Sequence, residues 1–295
     1  MSTAETHLPT CYRHPDRETG LSCSECGRPI CTECMTPAPV GLRCPDHAGS
    51  ARRGGPRVGG RQLVVPRTPL RGTEALVTKA LIAINVGIYL ITAVQGAGLN
   101  APGGSLWTKM ILWGPFLKHN GDWWRLITAA FLHASVLHIA FNMLALWWIG
   151  APVENYLGRT RYVGLYLVGG LAGSAGALVD SPTIPVVGAS GAIFAILGAM
   201  LILEWQATGK LGGQAMTLIV INLALNFAFN GTGGNISIGG HVGGLIGGIL
   251  ATLAFARWGK GHAAYGKLGL AGIAGLAAVG VASIAIAYWR VRGLA

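Results

Sequence analysis

Between residues 76 and 289 the chain is dominated by seven apolar segments, near 76–96, 134–152, 161–179, 188–205, 214–230, 236–256 and 268–289. Most come close to the about 20 residues that a helix needs to cross the hydrocarbon core of a bilayer. Inside lipid, every backbone N–H and C=O must find its partner within the protein, so a run of such segments folds as helices. Composition points the same way. Of 295 residues, 52% are hydrophobic and 11% charged, with a mean hydropathy of +0.51, too little polar surface for an ordinary soluble domain. The expected class is an all-α polytopic membrane protein with seven spans.

The few charges are unevenly placed. With Lys79 at the start of the first span counted to the head, the head and the 153–161, 206–213 and 257–267 loops hold 17 of the 22 Lys and Arg residues on one face, if the seven spans alternate. The other face holds Lys109, Lys118, Arg125, Arg290 and Arg292. Basic residues gather on the cytoplasmic side, so the N-terminus is expected inside and the C-terminus outside, with the plasma membrane as the expected location. The net charge of +11 then reports topology, and no nucleic-acid partner is expected. The start of the chain is polar, with no apolar stretch of the secretory kind, and is expected to be retained.

All six cysteines precede residue 45, in the pairs Cys11-x2-His14, Cys23-x2-Cys26, Cys31-x2-Cys34 and Cys44-x2-His47. Each spacing lets both members of a pair reach one tetrahedral ion, and eight ligands make two zinc sites. Disulfides compete for the cysteines, but histidine completes two of the pairs, which a disulfide framework would not require. Residues 8–48 carry few large apolar side chains, whereas a structural zinc contributes roughly 10–16 kcal/mol of apparent folding free energy. The metal replaces the core. A reducing cytoplasm also suits zinc thiolates better than disulfides. Residues 49–75, rich in Gly, Pro and Arg, read as a basic linker able to lie on anionic lipid.

Between the first two spans, residues 97–133 include Leu106, Trp107, Trp113, Phe116, Trp123 and Trp124. This aromatic content predicts a structured loop partly sunk in the outer interface.

Polar residues inside spans are costly and mark function by default. Here they are His138 and Asn142, Ser190, Asn222 and Asn226, and Ser237 and His241. With the N-terminus inside, Ser190, His241, His138 and Asn142 fall within about two helical turns of the outer face. His138 and Asn142, four apart, share a helix face. A serine and a histidine at one depth fit a nucleophile and its general base, while a His and an Asn fit oxyanion donors. The acids Asp122, Glu154, Asp180 and Glu204 read as loop or span-end residues, so a dyad is favoured over a triad, with Asp180 left open. Gly240, Gly244 and Gly248 form a small-residue ridge, and Gly188, Gly191, Ala195 and Gly198 a comparable surface.

Taken together, Gly188-Ala189-Ser190-Gly191, His133-x4-His138-x3-Asn142-Met143, Gly240-His241-x2-Gly244-x3-Gly248 and Trp124-Arg125 resemble the rhomboid intramembrane serine proteases. The resemblance covers roughly 76–257. It implies a six-helix core, extended here by one C-terminal span within 258–295. It also implies Ser190 as nucleophile, His241 as base, and His138, Asn142 and the Ser190 N–H as the oxyanion hole. Phe194 matches an aromatic that packs on the catalytic histidine, His133 a supporting histidine, and Trp124-Arg125 a structural loop motif. No cofactor is implied for catalysis. The head resembles B-box-like cross-brace modules, in which alternate pairs share an ion: Cys11, His14, Cys31 and Cys34 at one, Cys23, Cys26, Cys44 and His47 at the other. Pairing of neighbours is the alternative.

The expected function is a serine endopeptidase cutting membrane proteins in or near their transmembrane segments, with the bilayer and a protein bound by the zinc module as further partners. The alternative is a catalytically silent rhomboid-like protein that binds membrane proteins. A soluble-type hydrolase fits poorly, because Gly188-x-Ser190-x-Ala192 lacks the second glycine of a nucleophile elbow.

Overall fold

The computed structural model describes residues 8–37, 42–48, 75–231, 236–256 and 268–294. Chain contacts divide the molecule at Arg67 into two units. The predicted linker, apart from Ala75, and the loop at 257–267 lie outside the described residues.

In the first unit, β1 (Thr10–Cys11) pairs antiparallel with β2 (His14–Glu18), and β3 (Thr36–Pro37) with β4 (Leu42–Arg43). A single helical turn, α1 (Pro45–Ala48), follows. The strands are too short to bury an apolar face. Ile30 and five cysteines form the interior, with Tyr12, Leu21, Met35 and Leu42 packed around them.

The second unit is helical. Its long elements are α2 (Leu76–Gln95), α6 (Val136–Ala145) continuing through a π turn at Leu146–Gly150 into α7 (Ala151–Leu157), α8 (Arg159–Asp180), α9 (Ser190–Thr208), α10 (Gln214–Gly231), α11 (Ile238–Phe255) and α12 (Leu270–Arg292). Between α2 and α6 lie α3 (Gly104–Met110), α4 (Gly114–Asn120) and α5 (Arg125–Thr128). Six helices among the described residues are long and apolar enough to span a membrane. The fifth of the seven expected spans, α10, is an apolar helix that falls just short of that length when counted over Gln214–Asn230. The second span runs farther than its apolar stretch, to Leu157. The π turn lies just before Pro152, whose ring and missing N–H interrupt the regular hydrogen-bond ladder of the continuous helix.

Glu154 explains the extension. Its side chain is 1% exposed and accepts hydrogen bonds from the N–H groups of Val77 and Thr78 and from the Thr78 hydroxyl, capping α2. The charge does lie at the span end, as read from the sequence, and is buried there.

The 97–133 segment is held by Arg125. Its Nε donates to Asp122 at 2.8 Å, its Nη1 to the carbonyls of Thr108 and Ile111, and its guanidinium lies 4.3 Å from the centre of the Phe116 ring. The structural role expected of this arginine is therefore concrete: one side chain ties α3, α4 and α5 together.

Glycine governs the packing of α11, but on two sides rather than one. A Cβ on Gly244 would fall 2.0 Å from the Gly191 carbonyl oxygen of α9, and one on Gly248 2.1 Å from that of Ala195. On the other side, a Cβ on Gly239 would fall 2.4 Å from the Gly176 oxygen of α8. The sixth span is wedged between the third and fourth at backbone contact. The α12 helix packs outside, against α8 and α11.

Candidate active site

Ser190 is the first residue of α9, preceded by Gly188 at φ 128°, a value that L side chains rarely adopt. This turn starts the helix at Ser190, whose N–H has no partner in the helix's own ladder and points with the positive end of the helix dipole. Gly188 is also required by space. A Cβ there would stand 2.7 Å from His138 Nε2 and 3.7 Å from Ser190 Oγ, so the histidine ring and the hydroxyl flank the same point.

His241, buried in the first turns of α11, stacks on Phe194 with ring centres 4.3 Å apart and planes 10° from parallel. Phe194 lies one turn along α9 from Ser190. Among the described residues, the hydrogen bond of the His241 ring is to Asn226, whose Nδ2 lies 2.5 Å from His241 Nδ1, and not to Ser190. Catalytic hydrogen bonds are often long before substrate arrives.

Asn142 is buried, and its Nδ2 donates to the His138 carbonyl one turn back, at 2.8 Å. One of its two amide hydrogens is thus taken by its own helix. His133 is fully buried, with neither ring nitrogen hydrogen-bonded among the described residues, and its ring stands edge-on to His138 at 5.1 Å. Asp180, left open by sequence, accepts from the Gly239 N–H at the start of α11 instead of reaching His241. It is a helix cap.

Sequence reasoning assigned no role to Asn226. A depth argument would have found it: Asn226 lies five residues before the end of α10 and His241 three residues into α11, so each sits within about 8 Å of its own helix end, and those ends adjoin through Asn230 and Ile236.

In the other unit, Cys11, His14, Cys31 and Cys34 form one group and Cys23, Cys26, Cys44 and His47 a second, the ligand atoms of each within 4.8 Å of one another. Alternate pairs, not neighbours, come together. His14 Nδ1 lies 3.9, 3.4 and 3.4 Å from the sulfurs of Cys11, Cys31 and Cys34. His47 Nδ1 lies 3.9 and 3.2 Å from those of Cys23 and Cys44, and Cys26 Sγ is 3.9 Å from Cys44 Sγ. A tetrahedron with metal–sulfur bonds of about 2.3 Å and metal–nitrogen bonds of about 2.0 Å has edges of roughly 3.5–3.8 Å. The two groups could therefore hold metal ions. Burial and the neighbouring thiols of Cys31 and Cys11 push Cys34 up to about 11. For Cys11, burial opposes ionisation, but backbone hydrogen bonds involving Cys31 and Arg13 and the His14 ring outweigh it and pull the thiol down to about 6. Thiols crowded in this way cannot all ionise without a cation among them.

Residues 120–258 match the rhomboid domain. Just under half of the chain is thus similar to a rhomboid domain. The rhomboid protease GluP of Bacillus subtilis (strain 168) is 36% identical over 207 residues, 65% of this chain and 39% of that protein. RHOMBOID-like protein 5 of Arabidopsis thaliana is 42% identical over 119 residues, 38% of either chain. Rhomboid-related protein 3 of Homo sapiens is 34% identical over 106 residues, 34% of this chain and 26% of that protein. The chain spans about two fifths or less of the length of these relatives. The matched region contains Ser190, His241, His138, Asn142 and Phe194, and it begins after most of the 97–133 segment. The protein is a multi-pass membrane protein with a rhomboid fold.

Proposed function

We propose that this chain is an intramembrane serine endopeptidase, with Ser190 as nucleophile and His241 as general base. The observation that carries the reading is the convergence of three helices. Ser190 and Phe194 on α9, His241 stacked on Phe194 from α11, and His138 beside Gly188 from α6 meet around the start of α9. A hydroxyl at a helix N-terminus, a buried imidazole and further N–H donors are the parts that acyl transfer needs.

Ser190 Oγ attacks the scissile carbonyl carbon while His241 Nε2 takes the hydroxyl proton. The carbonyl oxygen becomes the oxyanion, met by the Ser190 N–H, His138 and the remaining amide hydrogen of Asn142, each donor contributing on the order of 3 kcal/mol. His241 returns the proton to the leaving amine, and water then releases the acyl group by the same steps in reverse. No metal or other cofactor enters the reaction. Gly188, Gly191, Gly244 and Gly248 hold the two helices close enough for this geometry, and His133 supports the His138 ring.

The substrates are membrane-anchored proteins with a locally unwound transmembrane segment, because an intact helix occupies its carbonyls with its own hydrogen bonds. The basic-residue distribution supports a plasma-membrane protein with its N-terminus in the cytoplasm and its C-terminus outside. The two Cys/His groups hold structural zinc in a B-box-like module of residues 8–48 that docks a protein partner.

The test is labelling of the detergent-solubilised full chain with a fluorophosphonate serine probe, alongside cleavage of a single-span model substrate. Labelling and cleavage are expected in the wild type and lost in folded Ser190→Ala and His241→Ala. Substantial residual cleavage in either variant would sink the dyad. A folded wild type that neither labels nor cleaves would make the chain a binding protein.

A further inference from the structure

Asn226 is an uncharged polar side chain, 8% exposed, on a helix that otherwise turns apolar residues such as Leu225, Phe227 and Phe229 outward. Burying an amide among such residues costs free energy unless it is hydrogen-bonded, and its partner is the candidate base itself. The His241 ring is thereby held twice. Stacking on Phe194 sets the plane of the imidazole, and contact with Asn226 sets its rotation within that plane.

Position alone does not make an imidazole a base. To accept the Ser190 proton at Nε2, neutral His241 must carry its own proton on Nδ1. A side-chain amide can meet Nδ1 in two ways: its NH2 donates to a bare Nδ1, or its oxygen accepts from Nδ1–H, and a half-turn of the amide exchanges the two. The first pairing leaves the proton on Nε2 and blocks the base. The second leaves a lone pair on Nε2.

We propose that Asn226 is a positioning residue of the active site, its Oδ1 accepting from the His241 Nδ1–H and so holding the tautomer whose Nε2 is free to act. This rests on the reading of Ser190 and His241 as a dyad. In the reacting state the Ser190 O–H bond breaks as Oγ bonds to the carbonyl carbon, and the proton passes to Nε2. The Nδ1–H stays on His241, directed at the amide oxygen, and stabilises the imidazolium until Nε2 returns its proton to the leaving amine. The amide fills the place of a third, orienting group without burying a carboxylate in the span, and among the described residues the nearby acid, Asp180, is committed to Gly239.

The test uses the full-length protein in proteoliposomes with a single-span model substrate. Asn226→Leu, which keeps the volume and removes the oxygen, is expected to lower kcat about 100-fold with KM changed less than about threefold, and to slow fluorophosphonate labelling in parallel. Asn226→Asp, which restores an oxygen at the same place, is expected to recover at least about tenfold over the leucine variant. Folded Asn226→Leu with wild-type kcat, or an aspartate variant no better than leucine, overturns the proposal. Should Asn226→Leu fail to fold, the tautomer is read directly in wild-type protein by 15N NMR of labelled histidines, with His241 assigned by its loss in His241→Gln. A protonated Nδ1 is expected, and a protonated Nε2 with bare Nδ1 would overturn it. Ser190→Ala and His241→Ala serve as separate controls: if they still label, the dyad itself fails, whereas if they are silent and Asn226→Leu is fully active, only the role of Asn226 fails.

Discussion

Thr78 donates twice to Glu154, from its backbone N–H and from its hydroxyl, each at 2.8 Å. With the Val77 N–H at 3.0 Å on the other carboxylate oxygen, one side chain satisfies the opening turn of the first span from the end of the second. Glu154→Ala leaves those donors unpaired in a buried place and is expected to cost about 2 kcal/mol or more, read as a lower unfolding midpoint in detergent. Glu154→Gln keeps an oxygen acceptor and should lose less. Equal midpoints for wild type and Glu154→Ala would show that the cap is dispensable.

Arg125 and Asp122 form an ion pair whose side chains are only 7% and 10% exposed. Arg125→Ala strands the carboxylate and frees the carbonyls of Thr108 and Ile111, so a loss on the order of 3 kcal/mol is expected. Lysine keeps the charge but has no planar fork to serve three acceptors, and Arg125→Lys should fall between the two. Limited proteolysis across residues 97–133 is the measurement. Unchanged cleavage in Arg125→Ala would remove the arginine from its tying role.

A methyl group on Gly244 would meet the Gly191 carbonyl at 2.0 Å, with only backbone to give way. Gly244→Ala is therefore expected to destabilise by about 1–3 kcal/mol and to reduce fluorophosphonate labelling, because Gly191 follows Ser190. Gly87→Ala, where nothing lies within 4 Å, is the control and should do neither. A Gly244→Ala protein as stable and as readily labelled as wild type would contradict the contact.

Purified protein is expected to carry about two zinc ions per chain, measured by mass spectrometry of the metal. Cys11→Ser and Cys34→Ser should each lose the same ion, so the double variant retains about one, whereas Cys11→Ser with Cys23→Ser retains about none. The opposite pattern would point to neighbouring pairs. Chelation should unfold the head, since its interior is made of the ligands themselves.

The helices were legible because lipid demands long apolar runs, and the ligand groups because cysteine and histidine at short spacing have few other uses. What the sequence left unread was mostly contact between elements far apart along the chain. Glu154 does lie at the end of the second span, but its sequence neighbourhood carries no sign of the α2 donors it caps, which lie 76 and 77 residues away. The π turn that lets the helix pass Pro152 has no signature of its own. Ser190, His241 and His138 were singled out by type and depth, while the contact of Asn226 with His241 called for comparing depths on two different helices. The second neighbour of α11 was equally hidden, because a glycine ridge does not say how many helices it serves.

Where Gly244 meets Gly191 no side chain intervenes, so the gap between the helices carrying His241 and Ser190 is a property of two main chains. Repacking elsewhere in the bundle can soften or stiffen the molecule without resetting that gap. A drift in sequence that trades one aliphatic residue for another thus leaves the spacing untouched, and vulnerability is confined to a handful of glycine codons. At those codons, the smallest possible enlargement is already a structural change.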